Sequence, residues 1–160
     1  MKGIELPRVA LKTEVEPPPG LNTYQAIPEL VEFHRLGPLP SKTRSIALGR
    51  VLLSLDAEGG EFVGLQSHVK TGRWKTDQEP LPVADAEGSL VILHPEGEEG
   101  LSFLAADPHF TWHDESSSLH ISLGGETALV FKIASCLLAG VDRKGRLSDI
   151  WMLDLDLSLE

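Results

Sequence analysis

A chain of 160 residues is long enough for one domain with a substantial core, because folding buries roughly 68–70% of the unfolded surface at this length. The apolar fraction of 41% and the charged fraction of 24% are ordinary for a globular protein. The formal net charge of −10 argues against a nucleic-acid partner, since an acidic surface repels phosphates and no Lys/Arg stripe offsets it.

Cys136 is the single cysteine, so the chain has no internal disulfide. It lies in an apolar run at 133–138, where a buried, unreactive thiol is the favoured interpretation. Residues 1–7 lack the apolar core of a signal peptide, and no stretch of about 18 apolar residues is present to span a membrane. These features predict a soluble, cytoplasmic protein without a membrane partner.

The N-terminal region divides into two predicted segments. Residues 1–24 are expected to form an irregular, Pro-rich arm, because Pro17, Pro18 and Pro19 remove backbone donors, and 25–160 are expected to form a single β domain. At 26–37 apolar residues recur at helical spacing, with Pro28 in the first turn and Gly37 at the end. This pattern predicts one short N-terminal helix.

The clearest pattern is an Asp-led turn that recurs at 56–59, 85–88, 114–117 and 142–145. The four turns begin 29, 29 and 28 residues apart, and each lies between two mostly apolar runs. In three of them Gly stands at the fourth position, which is typical of a type I turn closed by a left-handed glycine. The Asp carboxylate is expected to accept a hydrogen bond from a turn amide. Each turn therefore predicts a β-hairpin.

The third turn has Ser117 where the others have glycine, and an even-length loop fits it better. That loop pairs Trp112 with Leu119 and Phe110 with Ile121, so that the apolar side chains share one face. The opposite face then carries His109, Thr111, His113, His120 and Ser122.

Two longer stretches complete the predicted architecture. Residues 126–139 fit a helix or a strand, and strand is favoured because 130–133 alternates and the fourth hairpin needs a partner. Residues 46–67 align with 131–153 when Gly60 is skipped, which indicates an internal hairpin duplication or a chance match of Leu-rich strands. The whole pattern predicts a mainly β fold, an antiparallel sandwich, roll or small barrel built from about four hairpins.

The histidines on the third hairpin are the candidate metal ligands. His109, His113 and His120 could share a divalent transition metal such as Zn²⁺, as in a metal-assisted hydrolase or isomerase on a small β-barrel. The favoured alternative is a polar outer face with solvated histidines and no cofactor, because His109 and His113 lie about 13 Å apart along an extended strand.

The loop at 66–80 holds the densest basic run and an aromatic residue. Its candidate partner- or ligand-binding residues are Lys70, Arg73, Trp74 and Lys75.

The sequence contains no nucleophile elbow and no glycine-rich phosphate loop, and it leaves open whether the protein is an enzyme. We expect a β-rich module that binds a protein partner or a small ligand without catalysis. Homo-oligomers through strand edges and an acidic inhibitor-type protein stay open as alternatives.

Overall fold

The computed structural model describes residues 5–69, 74–77, 79–93 and 101–155. These residues form β-strands and no helix, so the mainly β prediction is confirmed. No helix long and apolar enough to cross a membrane occurs in these ranges. The strands are β1 Arg8–Lys12, β2 Gly20–Gln25, β3 Leu30–Arg35, β4 Thr43–Leu48, β5 Val51–Asp56, β6 Phe62–His68, β7 Lys75–Asp77, β8 Ala86–Glu87, β9 Ser89–Leu93, β10 Leu101–Leu104, β11 His109–His113, β12 Ser118–Ser122, β13 Leu129–Ala134, β14 Leu137–Val141 and β15 Leu147–Met152.

Two large sheets enclose one hydrophobic core. The first sheet has the order β10-β4-β5-β6-β3-β2, and the second has the order β7-β11-β12-β15-β14-β13-β8. Successive side chains of a strand point to opposite faces, so each sheet directs one apolar face inward. Leu53 and Leu55 of the first sheet and Ile121 and Ile150 of the second are fully buried in this core. A two-stranded ribbon of β1 and β9 adds Leu90 and Ile92 to it.

The two large sheets repeat the same pairing pattern over five strands, β2-β3-β6-β5-β4 and β11-β12-β15-β14-β13. Leu53 faces Leu65 in the first sheet where Ala139 faces Ile150 in the second. Just before the Asp turn the register shifts by one residue in both, at 54/55 and at 140/141. This correspondence follows the alignment of 46–67 with 131–153, while the duplication itself stays a prediction.

The chain between the two five-stranded units supplies three parallel edge strands, one to the first sheet and two to the second. β7 pairs with β11 of the second sheet through Thr76 and Trp112. β8 pairs with β13 of the second sheet through Ala86 and Phe131. β10 pairs with β4 of the first sheet through Ser102 and Ile46. β8 comes before β10 in the chain, so the connecting chain adds an edge strand to the second sheet before it returns to the first.

Three of the four predicted hairpins are present. The first and fourth turns join β5 to β6 and β14 to β15, and the third joins β11 to β12 with Trp112 opposite Leu119, as predicted. Ser117 nonetheless adopts a φ of 50° there. The prediction that 126–139 is strand is also confirmed, because β13 and β14 form a hairpin.

The hairpin predicted at 85–88 is wrong. β9 pairs with β1, and β8 pairs with β13 instead of with a strand at 81–84. Asp85 Oδ2 accepts a hydrogen bond from the Val130 amide at 2.9 Å, so this aspartate caps a neighbouring strand and not its own turn. The turn-like sequence therefore serves a crossing between sheets.

The short helix predicted at 26–37 is also wrong, and the irregular structure predicted for 1–24 is wrong where β1 and the start of β2 lie. Residues 26–29 form a turn between β2 and β3, and β1 lies within the N-terminal segment. Val31 and Phe33 alternate into the core, which is the period of a strand, whereas Ile27, the first apolar residue of the helical pattern, is 92% exposed. Pairing with β6 decided between the two patterns.

In the first turn the glycine with a positive φ is Gly60 and not Gly59. Gly60 has a φ of 76°, and a Cβ there would lie 2.7 Å from the Ile92 carbonyl oxygen, whereas a Cβ on Gly59 would meet nothing closer than 3.9 Å. We expect Gly60→Ala to lower the free energy of unfolding by about 1–3 kcal/mol. The matched Gly59→Ala should change it by no more than about 0.5 kcal/mol. Urea unfolding measures both, and equal losses would contradict the assignment.

The carboxylate of Asp142 in the fourth turn makes the stability of the protein depend on pH. Burial of Asp142 raises its pKa, but hydrogen bonds from the Arg146 and Lys144 amides and from the Arg146 guanidinium outweigh burial and lower it. The stabilisation is therefore complete above the unfolded value of about 3.9 and is lost as pH falls through the lower folded pKa.

We expect Asp142→Asn to cost about 1–3 kcal/mol at neutral pH, and the difference from the native protein should shrink as the pH falls below about 4. Urea unfolding between pH 2 and pH 7 measures this difference. Asp107→Asn, at an exposed carboxylate, is the control and should change stability little at any pH. A constant difference between Asp142→Asn and the native protein over the whole range would refute the linkage.

Candidate functional site

The outer face of the second sheet carries a buried carboxylate, Asp149, which is 4% exposed. Its Oδ1 accepts a hydrogen bond from His120 Nε2 at 2.8 Å, and its Oδ2 accepts one from Ser148 Oγ at 2.7 Å. Thr127 Oγ1 also donates to Oδ2. Burial alone would raise the pKa of Asp149, but these three hydrogen bonds outweigh it and lower the pKa. Asp149 is therefore held as a carboxylate.

The space for this carboxylate comes from a glycine on the neighbouring strand. Gly140 of β14 faces Asp149 of β15, and a Cβ on Gly140 would lie 2.9 Å from Asp149 Oδ2 and 3.0 Å from Thr127 Cγ2. A side chain at position 140 would therefore displace the network.

A second histidine, His113, lies next to the His120 of this network. The His120 ring stacks on Trp151, with centroids 4.6 Å apart and planes 4° apart, and its side chain is 23% exposed. The His113 ring lies 6.2 Å from it between centroids and is tilted by 50°. His113 is only 5% exposed.

The hydrogen bond of His113 determines its tautomer. Nδ1 lies 3.0 Å from the Glu79 carbonyl oxygen, and a carbonyl can only accept, so Nδ1 carries the proton. In the neutral ring Nε2 then carries a lone pair, and it is buried with no hydrogen-bond partner among the residues that the structure describes. His113 is therefore a buried ring that donates through Nδ1 and leaves Nε2 unused.

The segment 79–85, which we name the strap, covers part of this outer face. Leu81 and Ala84 pack against the small cluster of Val130, Leu138 and Trp151. The strap is fixed at one end by the bond from His113 to residue 79 and at the other by the Asp85 amide, which donates to the Val130 carbonyl at 2.7 Å.

The outer face of the first sheet differs at the corresponding position. Gly64 of β6 faces Ser54 of β5, as Asp149 faces Gly140 in the second sheet. Gly64 has no side chain to fill the space, and a hollow of about 270 Å³ lies over it. The residues that line the hollow with side-chain polar atoms are Glu32, His34, Arg35, Thr43, Ser54 and Gln66.

The guanidinium at the rim of the hollow is held in place. Arg35 Nη1 donates to Glu61 Oε1 and Nη2 donates to the Pro38 carbonyl, both at 2.7 Å. Leu39 and Pro40 form an apolar wall of the hollow. The hollow therefore combines fixed donors, acceptors and an apolar surface.

The predicted binding residues at 66–80 lie only partly within the described structure. Lys70 and Arg73 are outside the described residues, and Lys75 is exposed on β7. Trp74 is half-buried, with its ring 5.8 Å from that of Trp112 and 6.5 Å from that of Tyr24. Trp74 thus packs in an aromatic cluster, and its role in binding stays a prediction.

The three predicted metal ligands do not form one site. His109 Nε2 pairs with Asp107 Oδ2 at 2.9 Å on an exposed part of β11, and only His113 and His120 lie together. In the described part of the chain no three His, Cys, Asp or Glu side chains form a group that could hold a metal ion. The alternative of solvated histidines describes His109 but not the buried His113.

Sequence reasoning missed Asp149, Thr127 and Ser148. The available signal was Asp149 itself, a charged residue within the apolar strand that follows the fourth turn. Its partner His120 was identified on its own strand, but the pairing of β12 with β15 was needed to bring the two together.

No protein-family model matches this chain, and comparison with curated proteins finds no match. The geometry of the two outer faces is therefore what supports a functional proposal.

The contribution of the Ser148 hydrogen bond to the stability of the network around Asp149 can be measured by substitution. Ser148 is fully buried, so Ser148→Ala removes a donor from a buried carboxylate that no water can replace. We expect a loss of about 1.5–3 kcal/mol in the free energy of unfolding. Ser122→Ala, on the strand opposite Asp149, is the matched control and should have little effect. Similar values for the two variants in urea unfolding would show that the Ser148 bond contributes nothing.

Proposed function

We propose that this protein is a binding module that holds a small polar molecule in the hollow on the outer face of the first sheet. The observation that carries the proposal is the contrast between Gly64 and Asp149. At matching positions of two sheets with the same register, one sheet fills the space with a hydrogen-bonded carboxylate and the other leaves about 270 Å³ open.

The lining of the hollow supports a ligand rich in hydroxyl or amide groups. Ser54 and Thr43 supply hydroxyls, and Gln66 supplies an amide that both donates and accepts. Glu32 supplies a carboxylate that accepts. The volume is slightly below the roughly 300–1,000 Å³ of typical ligand pockets, which suits a molecule about the size of a monosaccharide.

Preorganisation also favours binding at this position. Arg35 is already fixed by Glu61 and by the Pro38 carbonyl, so little side-chain freedom is lost when a ligand accepts a hydrogen bond from its guanidinium. Strands of the sheet form the floor, and a floor of this kind moves little on binding.

The test is a titration of the native protein with a panel of monosaccharides, polyols and nucleosides, followed by amide NMR shifts. We expect at least one probe to shift the amides of Gly64 and Gln66. Gly64→Leu should fill the hollow and weaken that probe's affinity at least tenfold, while the fold is kept because a Cβ there meets atoms only at 3.6 Å.

Thr23→Leu is the matched control for this titration. Thr23 lies on the same outer face of the first sheet but does not line the hollow, so the affinity should be unchanged. A panel that shifts no amide of the hollow, or a Gly64→Leu variant with native affinity, would overturn the proposal.

A further inference from the structure

His113 and His120 each use one ring nitrogen in the same way. His113 Nδ1 donates to the Glu79 carbonyl, and His120 Nε2 donates to the Asp149 carboxylate. Histidines that bind metal ions almost always donate their other ring N–H to a carbonyl or a carboxylate, which fixes the ring and makes the free nitrogen a better ligand. Both histidines therefore already have the supporting contacts of metal ligands.

We propose that His113 Nε2 and His120 Nδ1 bind a divalent late transition ion such as Zn²⁺ on the outer face of the second sheet. The Glu79 carbonyl and Asp149 support the two rings from behind. The site lies on the sheet opposite the hollow and does not depend on the function proposed there. It reduces the three-histidine prediction to the two rings that the fold brings together.

The separation of the two rings fits a shared ion. With N–Zn bonds of about 2.0–2.1 Å, two imidazoles on one ion have ring centroids about 5–6.4 Å apart, the larger value at a wide N–Zn–N angle. The observed separation is 6.2 Å. This value lies near the upper end of the range, which corresponds to a wide N–Zn–N angle and keeps the hydrogen bonds from His113 to the Glu79 carbonyl and from His120 to Asp149.

The second observation is the unused nitrogen of His113. Nε2 is buried, has no hydrogen-bond partner within the described ranges of the chain, and belongs to a residue that is only 5% exposed. A buried acceptor without a partner is rare in proteins because it loses its hydrogen bonds to water. Coordination of an ion would satisfy this lone pair. His120 is 23% exposed, so solvent can reach the site and provide water as the remaining ligands.

Imidazole nitrogens select the class of ion. They suit Zn²⁺, Ni²⁺ and Cu²⁺, whereas Mg²⁺ and Ca²⁺ prefer oxygen ligands. Asp149 is occupied by three hydrogen bonds and stays a supporting group. Zn²⁺ is the first probe, and Mg²⁺ is the negative control.

The experiment is calorimetric titration of the untagged full chain with Zn²⁺. We expect one ion per chain, an affinity at least tenfold weaker in His113→Gln and in His120→Gln, and an unchanged affinity in His109→Gln. Asp149→Asn keeps both ligands and should weaken binding about 10–100-fold through the lost support. Thermal unfolding without metal checks that each variant is folded.

Nitrogen-15 NMR of the native protein gives a test that needs no variant. Before metal is added, His113 should be the Nδ1–H tautomer, and on titration with Zn²⁺ the signals of His113 Nε2 and His120 Nδ1 should move together. The proposal is refuted if Zn²⁺ does not bind, if only other histidines respond, or if Mg²⁺ gives the same shifts.

Discussion

The structure depends on one shared interior. Each large sheet has an apolar inner face that cannot be buried by its own strands, and an open sheet with such a face is not stable in water. The core residues of both sheets form a single cluster, which the ribbon of β1 and β9 extends. Because side chains alternate along a strand, the register that buries Leu53 and Ile150 also determines which residues reach each outer face.

The outer faces are free of that constraint, and there the two sheets differ. Five strands keep the same pairing in both, yet matching positions hold Gly64 in one and Asp149 in the other. The inner face preserves apolar volume, whereas each outer face can acquire its own chemistry without changing the register. The strap covers part of the face that carries His113, His120 and Asp149, and the hollow on the other sheet is lined by charged side chains together with hydroxyls and one amide.

Local patterns predicted the hairpins well because turn chemistry acts between neighbours. Asp and Gly at 142–145 sufficed for the fourth turn, and alternation sufficed for the register of Trp112 with Leu119. Tertiary pairing decided the rest. The apolar residues at 26–37 recur at helical spacing, but pairing with β6 makes β3 a strand. Residues 85–88 form a crossing between sheets instead of a hairpin, because β9 pairs with β1. Half of the candidate site, the contact of His120 with Asp149, joins residues 29 apart and has no local signal.

The exchange of β8 and β10 between the sheets has a consequence for the order of assembly. β8 follows the first unit more closely in the chain but pairs with the second, and β10 precedes the second unit but pairs with the first. Each unit is therefore completed by the part of the connecting chain that is closer to the other unit. Such long-range closure slows folding, because distant segments must meet before either edge is protected. The same pairings couple the unfolding of the two sheets, because the loss of β8 or β10 from its place exposes an edge strand of the sheet that it covers.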